Sequence, residues 1–121
     1  VKTIRNIFHG CKALLVLDLS NFSSNEFINE LNYMFYYCTN LISVDLANFK
    51  ADKVTNYEHM FDGCENLNNI NIGNLNFKID NGEKYKNIFR GIPNDGSIVC
   101  NKNTVKNFVG ILPGAWEKVI I

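Results

Sequence analysis

The chain has 121 residues, 46% of them hydrophobic, and its 12 basic side chains are balanced by 12 acidic ones. This fits one globular domain and excludes a nucleic-acid or polybasic membrane binder, which needs a clustered positive field. No uncharged apolar run approaches the roughly 20 residues of a membrane span, and no secretion-signal core opens the chain.

One compositional oddity is left, 20 asparagines against two prolines, and self-similarity accounts for part of it. Phe8-His9-Gly10-Cys11-Lys12-Ala13-Leu14 leads into Leu17-Asp18-Leu19-Ser20-Asn21-Phe22. The pattern returns as Phe35-Tyr36-Tyr37-Cys38-Thr39-Asn40-Leu41, leading into Val44-Asp45-Leu46-Ala47-Asn48-Phe49. It returns again as Phe61-Asp62-Gly63-Cys64-Glu65-Asn66-Leu67, leading into Ile70-Asn71-Ile72-Gly73-Asn74-Leu75. The cysteine spacings are 27 and 26. A fourth start, Phe89-Arg90-Gly91-Ile92, puts isoleucine where cysteine is expected, and Pro93 ends the series. Arg5-Asn6-Ile7-Phe8 matches Lys86-Asn87-Ile88-Phe89, so the opening residues read as the tail of an earlier repeat and the chain as the end of a longer array.

Within each unit, Leu14-x-x-Leu17-x-Leu19 reads as the strand of a leucine-rich repeat. Period two turns Leu17, Val44 and Ile70 inward and Asp18, Asp45 and Asn71 outward on a parallel sheet. Ile28, Leu31, Phe35 and Cys38 follow at spacings of 3, 4 and 3, as do Val54, Tyr57, Phe61 and Cys64. That spacing predicts a short helix of about two turns behind the sheet in each unit. The third copy carries two extra residues around Lys78–Glu83, placed in a convex loop. Stacking predicts columns: Leu14, Leu41 and Leu67; an aromatic spine of Phe8, Phe35, Phe61 and Phe89; and Asn21, Asn48 and Asn74 at a bend after the strand.

After Pro93 the repeat stops. Asn94-Asp95-Gly96 is a turn and Ser97–Cys100 a strand. Asn103-Thr104 is placed at the cap of a helix whose face is Val105, Phe108, Val109 and Leu112. Trp116 to Ile121 returns as a short apolar strand. The fold expected is thus an α/β solenoid: a repeat array over 1–92 and a strand–helix–strand cap over 93–121 that shields its open end.

Met34-Phe35-Tyr36-Tyr37-Cys38-Thr39-Asn40-Leu41, the Val44-Asp45-Leu46-Ala47-Asn48-Phe49 run, Val54-Thr55-Asn56 and Met60-Phe61-x-Gly63-Cys64 resemble the BspA-like leucine-rich repeats of bacterial surface proteins, over roughly residues 5–92. The unit departs from that pattern at Asn69-Ile70-Asn71-Ile72-Gly73 and at Ile92. The resemblance implies a secreted or surface-displayed, virulence-associated protein that adheres to host matrix or partner-cell proteins. It carries over no catalytic residue and no cofactor.

Read on their own, the candidate chemical groups point the same way. Cys11, Cys38 and Cys64 share one column, whose roughly 4.8 Å pitch suits a ladder of buried thiols better than disulfides or a tetrahedral zinc site. His9-Gly10-Cys11 sets a base near a nucleophile, but the equivalent triplets Tyr36-Tyr37-Cys38 and Asp62-Gly63-Cys64 lack histidine. Glu58-His59 reads as a solvated helix face, and Tyr57 as core. Tyr36 and Tyr37 face His9-Gly10 and Asp62-Gly63 in the flanking units, leaving at least one tyrosine exposed. No metal, cofactor or catalytic set emerges. The candidate site is a partner-binding sheet face made of Val16, Asp18, Ser43, Asp45, Asn69 and Asn71. The function expected is non-catalytic protein recognition at a cell surface, with a spacer or stalk that displays another domain as the alternative.

Overall fold

Every apolar–polar alternation in the repeat becomes one strand of a single sheet. In the computed structural model, which describes residues 8–19, 30–48, 56–73, 75, 87–108 and 111–121, these are β1 (Val16–Asp18), β2 (Ser43–Asp45), β3 (Asn69–Gly73) and β4 (Ser97–Cys100). Helix α1 (Lys102–Phe108) and strand β5 (Glu117–Ile120) follow. All neighbours are parallel, and strand order in the sheet equals chain order. Each unit therefore adds one strand beside the last, a repeat-like α/β arrangement with few helices.

Register follows the sequence alignment of the repeats. Leu17, Val44, Ile70 and Ile98 are successive partners, and the last three are buried. Leu41 and Leu67 are fully buried beneath the strand starts, with Leu14 half-buried in the equivalent place. The phenylalanines form the expected spine: Phe8, Phe35, Phe61 and Phe89 stack at centroid spacings of 5.5, 5.4 and 5.7 Å, within 5° of parallel. In the asparagine column only Asn48 is described; Asn21 and Asn74 lie outside the described residues.

The two-turn helix expected in each unit is not formed where the structure describes it. Residues 32–37 and 58–63 are successive tight turns. N–H groups of Met34, Tyr36, Cys38 and Leu41 each bond the carbonyl three residues back, at 3.0–3.3 Å. The N–H groups of Leu31, Tyr33, Phe35 and Tyr37 instead reach the next unit, bonding carbonyls of Asn56, Glu58, Met60 and Asp62 at 2.8–3.0 Å. Half of these donors thus leave the segment, which a helix does not permit. Left-handed backbone at Tyr33 (φ 60°) and Tyr37 (φ 55°) breaks any helical run between them. The apolar spacing is the same because Leu31, Met34, Phe35 and Cys38 are still the inward residues, all buried. Ile28 and Val54 lie outside the described residues.

The cysteine column is a thiol ladder. Cys38 Sγ–H donates to the Phe8 carbonyl and Cys64 Sγ–H to the Phe35 carbonyl, both at 2.9 Å. Burial raises both thiols, Cys64 well above the usual cysteine range. Ile92 keeps the same turn, bonding its N–H to Phe89 O, and fills the column with apolar volume.

Past Pro93 the strand–helix–strand order is present, with one correction. Asn101, rather than Asn103-Thr104, caps α1: its Oδ1 accepts the Thr104 N–H at 2.8 Å. Thr104 is buried and donates its hydroxyl to Leu75 O at 2.8 Å, tying α1 to the third unit. Leu112 packs half-buried on the core; Val105, Phe108 and Val109 lie outside the described side chains. Trp116 is buried and donates Nε1–H to Pro93 O at 2.8 Å. A Cβ at Gly96 would stand 2.7 Å from its ring, so only glycine admits it there. Strand β5 is exposed at all four positions. It places Lys118 at the register of Ile98, an inward charge on the last strand.

Candidate functional site

The six residues expected to form a binding face come together as two rows. Val16, Ser43 and Asn69 are successive partners, and so are Asp18, Asp45 and Asn71. Val16 is 62% exposed, Asp18 and Asn69 are exposed, and Ser43, Asp45 and Asn71 are half-buried. The register extends the first row to Ser97 and Glu117. There a polar depression of ≈ 350 Å³ opens, lined by Asn68, Asn69, Asp95, Gly96, Ser97 and Glu117. Exposed Leu15 and Ile42 flank the rows on the upstream side, joined by the Ile42 N–H to Leu15 O bond at 2.7 Å. Sequence reasoning missed both, although the strand register marks them as the residues immediately ahead of the alternation.

The acidic row also has a local task. Asp45 Oδ1 accepts the N–H of Ala47 at 2.9 Å, and Asn71 Oδ1 accepts the N–H of Gly73 at 3.0 Å. Each side chain closes a turn on its own backbone as the chain leaves the strand. A carboxylate and an amide serve equally because only an acceptor two residues upstream is required. A second set of asparagines, absent from the expected column, works between units: Asn40 Nδ2 donates to Lys12 O and Asn66 Nδ2 to Thr39 O, each at 2.7 Å. Their shared position two residues after the column cysteine was readable in the alignment.

On the turn segments the repeat register assembles a different cluster. His9, Tyr36, Asp62 and Arg90 occupy equivalent positions after the four spine phenylalanines. Asp62 is 2% exposed and accepts from His59 Nδ1 at 2.6 Å and from Arg90 Nε and Nη2 at 3.2 and 2.7 Å. His59 is only 12% exposed at its side chain and lies 3.5 Å from Glu58, so it is not the solvated residue expected. It stacks on Tyr33 at 4.8 Å, its counterpart one unit earlier; both adopt left-handed backbone. Tyr36 meets Tyr33, Tyr37 and His9 edge-on at 5.0, 4.4 and 5.0 Å. Desolvation raises the Tyr36 hydroxyl, helped by Tyr37 and Asp62, and the Asp62 carboxylate raises the Arg90 guanidinium. Among the described residues, no group of three or more His, Cys, Asp or Glu side chains is placed to hold a metal ion. Nor is any described helix long and apolar enough to cross a membrane.

These features define a repeat-type protein with a sequentially ordered parallel sheet, one face of which carries exposed apolar and polar rows. The chain belongs to the family described as "Mycoplasma protein of unknown function, DUF285", whose match covers residues 1–104. No curated protein and no solved structure matched the chain.

Proposed function

We propose that this chain is a non-catalytic protein-recognition module of a secreted or surface-displayed protein. Its binding face is the outer side of β1–β3. The finer kinship belongs to the same reading: a BspA-like, leucine-rich-repeat solenoid whose residues 93–121 close the array, engaged in adhesion to host or partner-cell proteins. The supporting observation is the open sheet face. Parallel sheets are ordinarily covered on both faces, yet Leu15, Val16 and Ile42 stand exposed beside Asp18 and Asp45. Exposed apolar residues rimmed by polar ones mark an interaction surface.

Titrating the immobilised chain with extracellular-matrix and plasma proteins tests this reading. It expects saturable binding to at least one of them, weakened at least tenfold in a folded Val16→Lys/Ile42→Lys variant. Asp18→Ala/Asp45→Ala should weaken it as well. A folded acidic-row variant with full affinity removes that row from the site. A spacer role is the second reading, favoured by the bonds that Asp45 and Asn71 make to their own backbone. Absence of saturable binding to the whole panel would favour it.

A further inference from the structure

The repeat supplies its own reference. Residues filled alike in every unit, such as the spine phenylalanines, are accounted for by stacking. Tyr33, Tyr36 and Tyr37 depart from that pattern, and all three belong to one unit. At the Tyr37 position the other units carry Gly10, Gly63 and Gly91, with φ of 68°, 81° and 82°. A side chain is strained there, and strain of this kind concentrates at ligand sites. The fold does not bury the ring in return, since Tyr37 is 46% exposed. One side of it lies against Gly63, where a Cβ would stand 2.5 Å from Tyr37 Cδ1. An exposed aromatic platform results.

Its rim is polar and held rigid. The Arg90 side chain, 55% exposed, is fixed by two guanidinium bonds to buried Asp62, and the Arg90 backbone carbonyl accepts the Gly63 N–H at 2.8 Å. The same carboxylate fixes His59, with Glu58 beyond it. Arg90 and Asp62 cancel in charge. We propose that this turn face is a carbohydrate-binding site, in which the apolar face of a neutral pyranose rests on Tyr37 and its hydroxyls bond the Arg90 side chain. Tyrosine and arginine are also enriched at protein interfaces, which need about 800 Å² per side, so a protein partner is the occupant the test must separate from a sugar. Here the charged cluster adjoins three tyrosines directly. A small polyol with one apolar face matches an aromatic surface with a few convergent, preorganised polar groups. This site is separate from the β1–β3 face and stands or falls without it.

The test is an NMR titration of the whole chain with methyl β-D-glucopyranoside, methyl β-D-galactopyranoside, methyl α-D-mannopyranoside and N-acetylglucosamine, each to roughly tens of millimolar. The expected result is a saturable shift of the Tyr37 ring resonances with at least one sugar, and saturation transfer to protons on one face of its ring. Tyr37→Gly installs the residue that the other units carry, so the variant folds with an unchanged or higher thermal midpoint. Its affinity for that sugar falls at least tenfold, while Ile42→Lys on the strand face leaves the sugar response intact. Unmoved Tyr37 resonances with all four sugars would overturn the proposal, as would a response that survives Tyr37→Gly. Protein binding lost in Tyr37→Gly without any sugar response would assign the face to a protein instead.

Discussion

Asp45 and Asn71 show how a position can tolerate a change of charge without a change of structure. Both accept a backbone N–H two residues on, so Asp45→Asn should leave the urea midpoint nearly unchanged, while Asp45→Leu loses about 0.5–1.5 kcal/mol. Gly63 is less tolerant. With φ 81° and the Tyr37 ring against it, Gly63→Ala should destabilise by about 1–3 kcal/mol, and part of that loss should return in a Tyr37→Gly background, as a double-mutant cycle would show. The thiols give a pH dependence whose sign is fixed. Cys38 and Cys64 hold their protons more tightly folded than unfolded, so above the ordinary thiol pKa of about 8.5 the unfolded chain gains by releasing them. Stability is therefore full below that pH and falls as pH rises from the unfolded towards the folded pKa of each thiol, with a limiting slope of about 1.4 kcal/mol per pH unit. Urea unfolding across the alkaline range should show a flatter decline for Cys38→Ala/Cys64→Ala than for the parent chain.

At the scale of elements, the strands and the C-terminal helix α1 were legible, while the helices expected within the repeat units were not formed where the structure describes them. Alternation at Leu17–Leu19, Val44–Leu46 and Ile70–Ile72 has no competing reading, because only a strand puts residues two apart on one side. The 3-4-3 spacing of apolar residues was ambiguous: consecutive tight turns bury Leu31, Phe35 and Cys38 as a helix would. The available counter-signal was glycine. Gly10, Gly63 and Gly91 recur inside the supposed helix at positions that prove left-handed, where a helix places no glycine by preference. The turn ladder predicts that the Tyr33, Phe35 and Tyr37 amides, bonded to the next unit, exchange with deuterium only when the units separate. Leu41→Ala, which empties a fully buried place in the stack, should lower stability by about 2–5 kcal/mol in urea unfolding and speed that exchange.

At the scale of the whole molecule, the last strand of the sheet carries a charge at a core register. Lys118 stands at the core register of β5 and donates to Trp116 O at 3.3 Å, an inward charge of the kind that keeps an exposed edge from pairing. Lys118→Ile should promote self-association, measured by analytical ultracentrifugation. The strand face was readable from the repeat because strand parity sets which residues point outward. The turn cluster was not, because His59 and Asp62 meet Arg90 only through the register of two successive units and a left-handed backbone at His59. The two proposals thus assign different recognition chemistries to two faces: the open apolar–acidic sheet to protein and the aromatic turn face to sugar. The most direct measurement compares Val16→Lys/Ile42→Lys with Tyr37→Gly, both folded, in one binding assay against the extracellular proteins. The strand-face variant should lose at least tenfold in affinity while Tyr37→Gly retains the parent value. Full affinity in the strand-face variant, or its loss in Tyr37→Gly, would contradict the assignment of protein recognition to the open sheet.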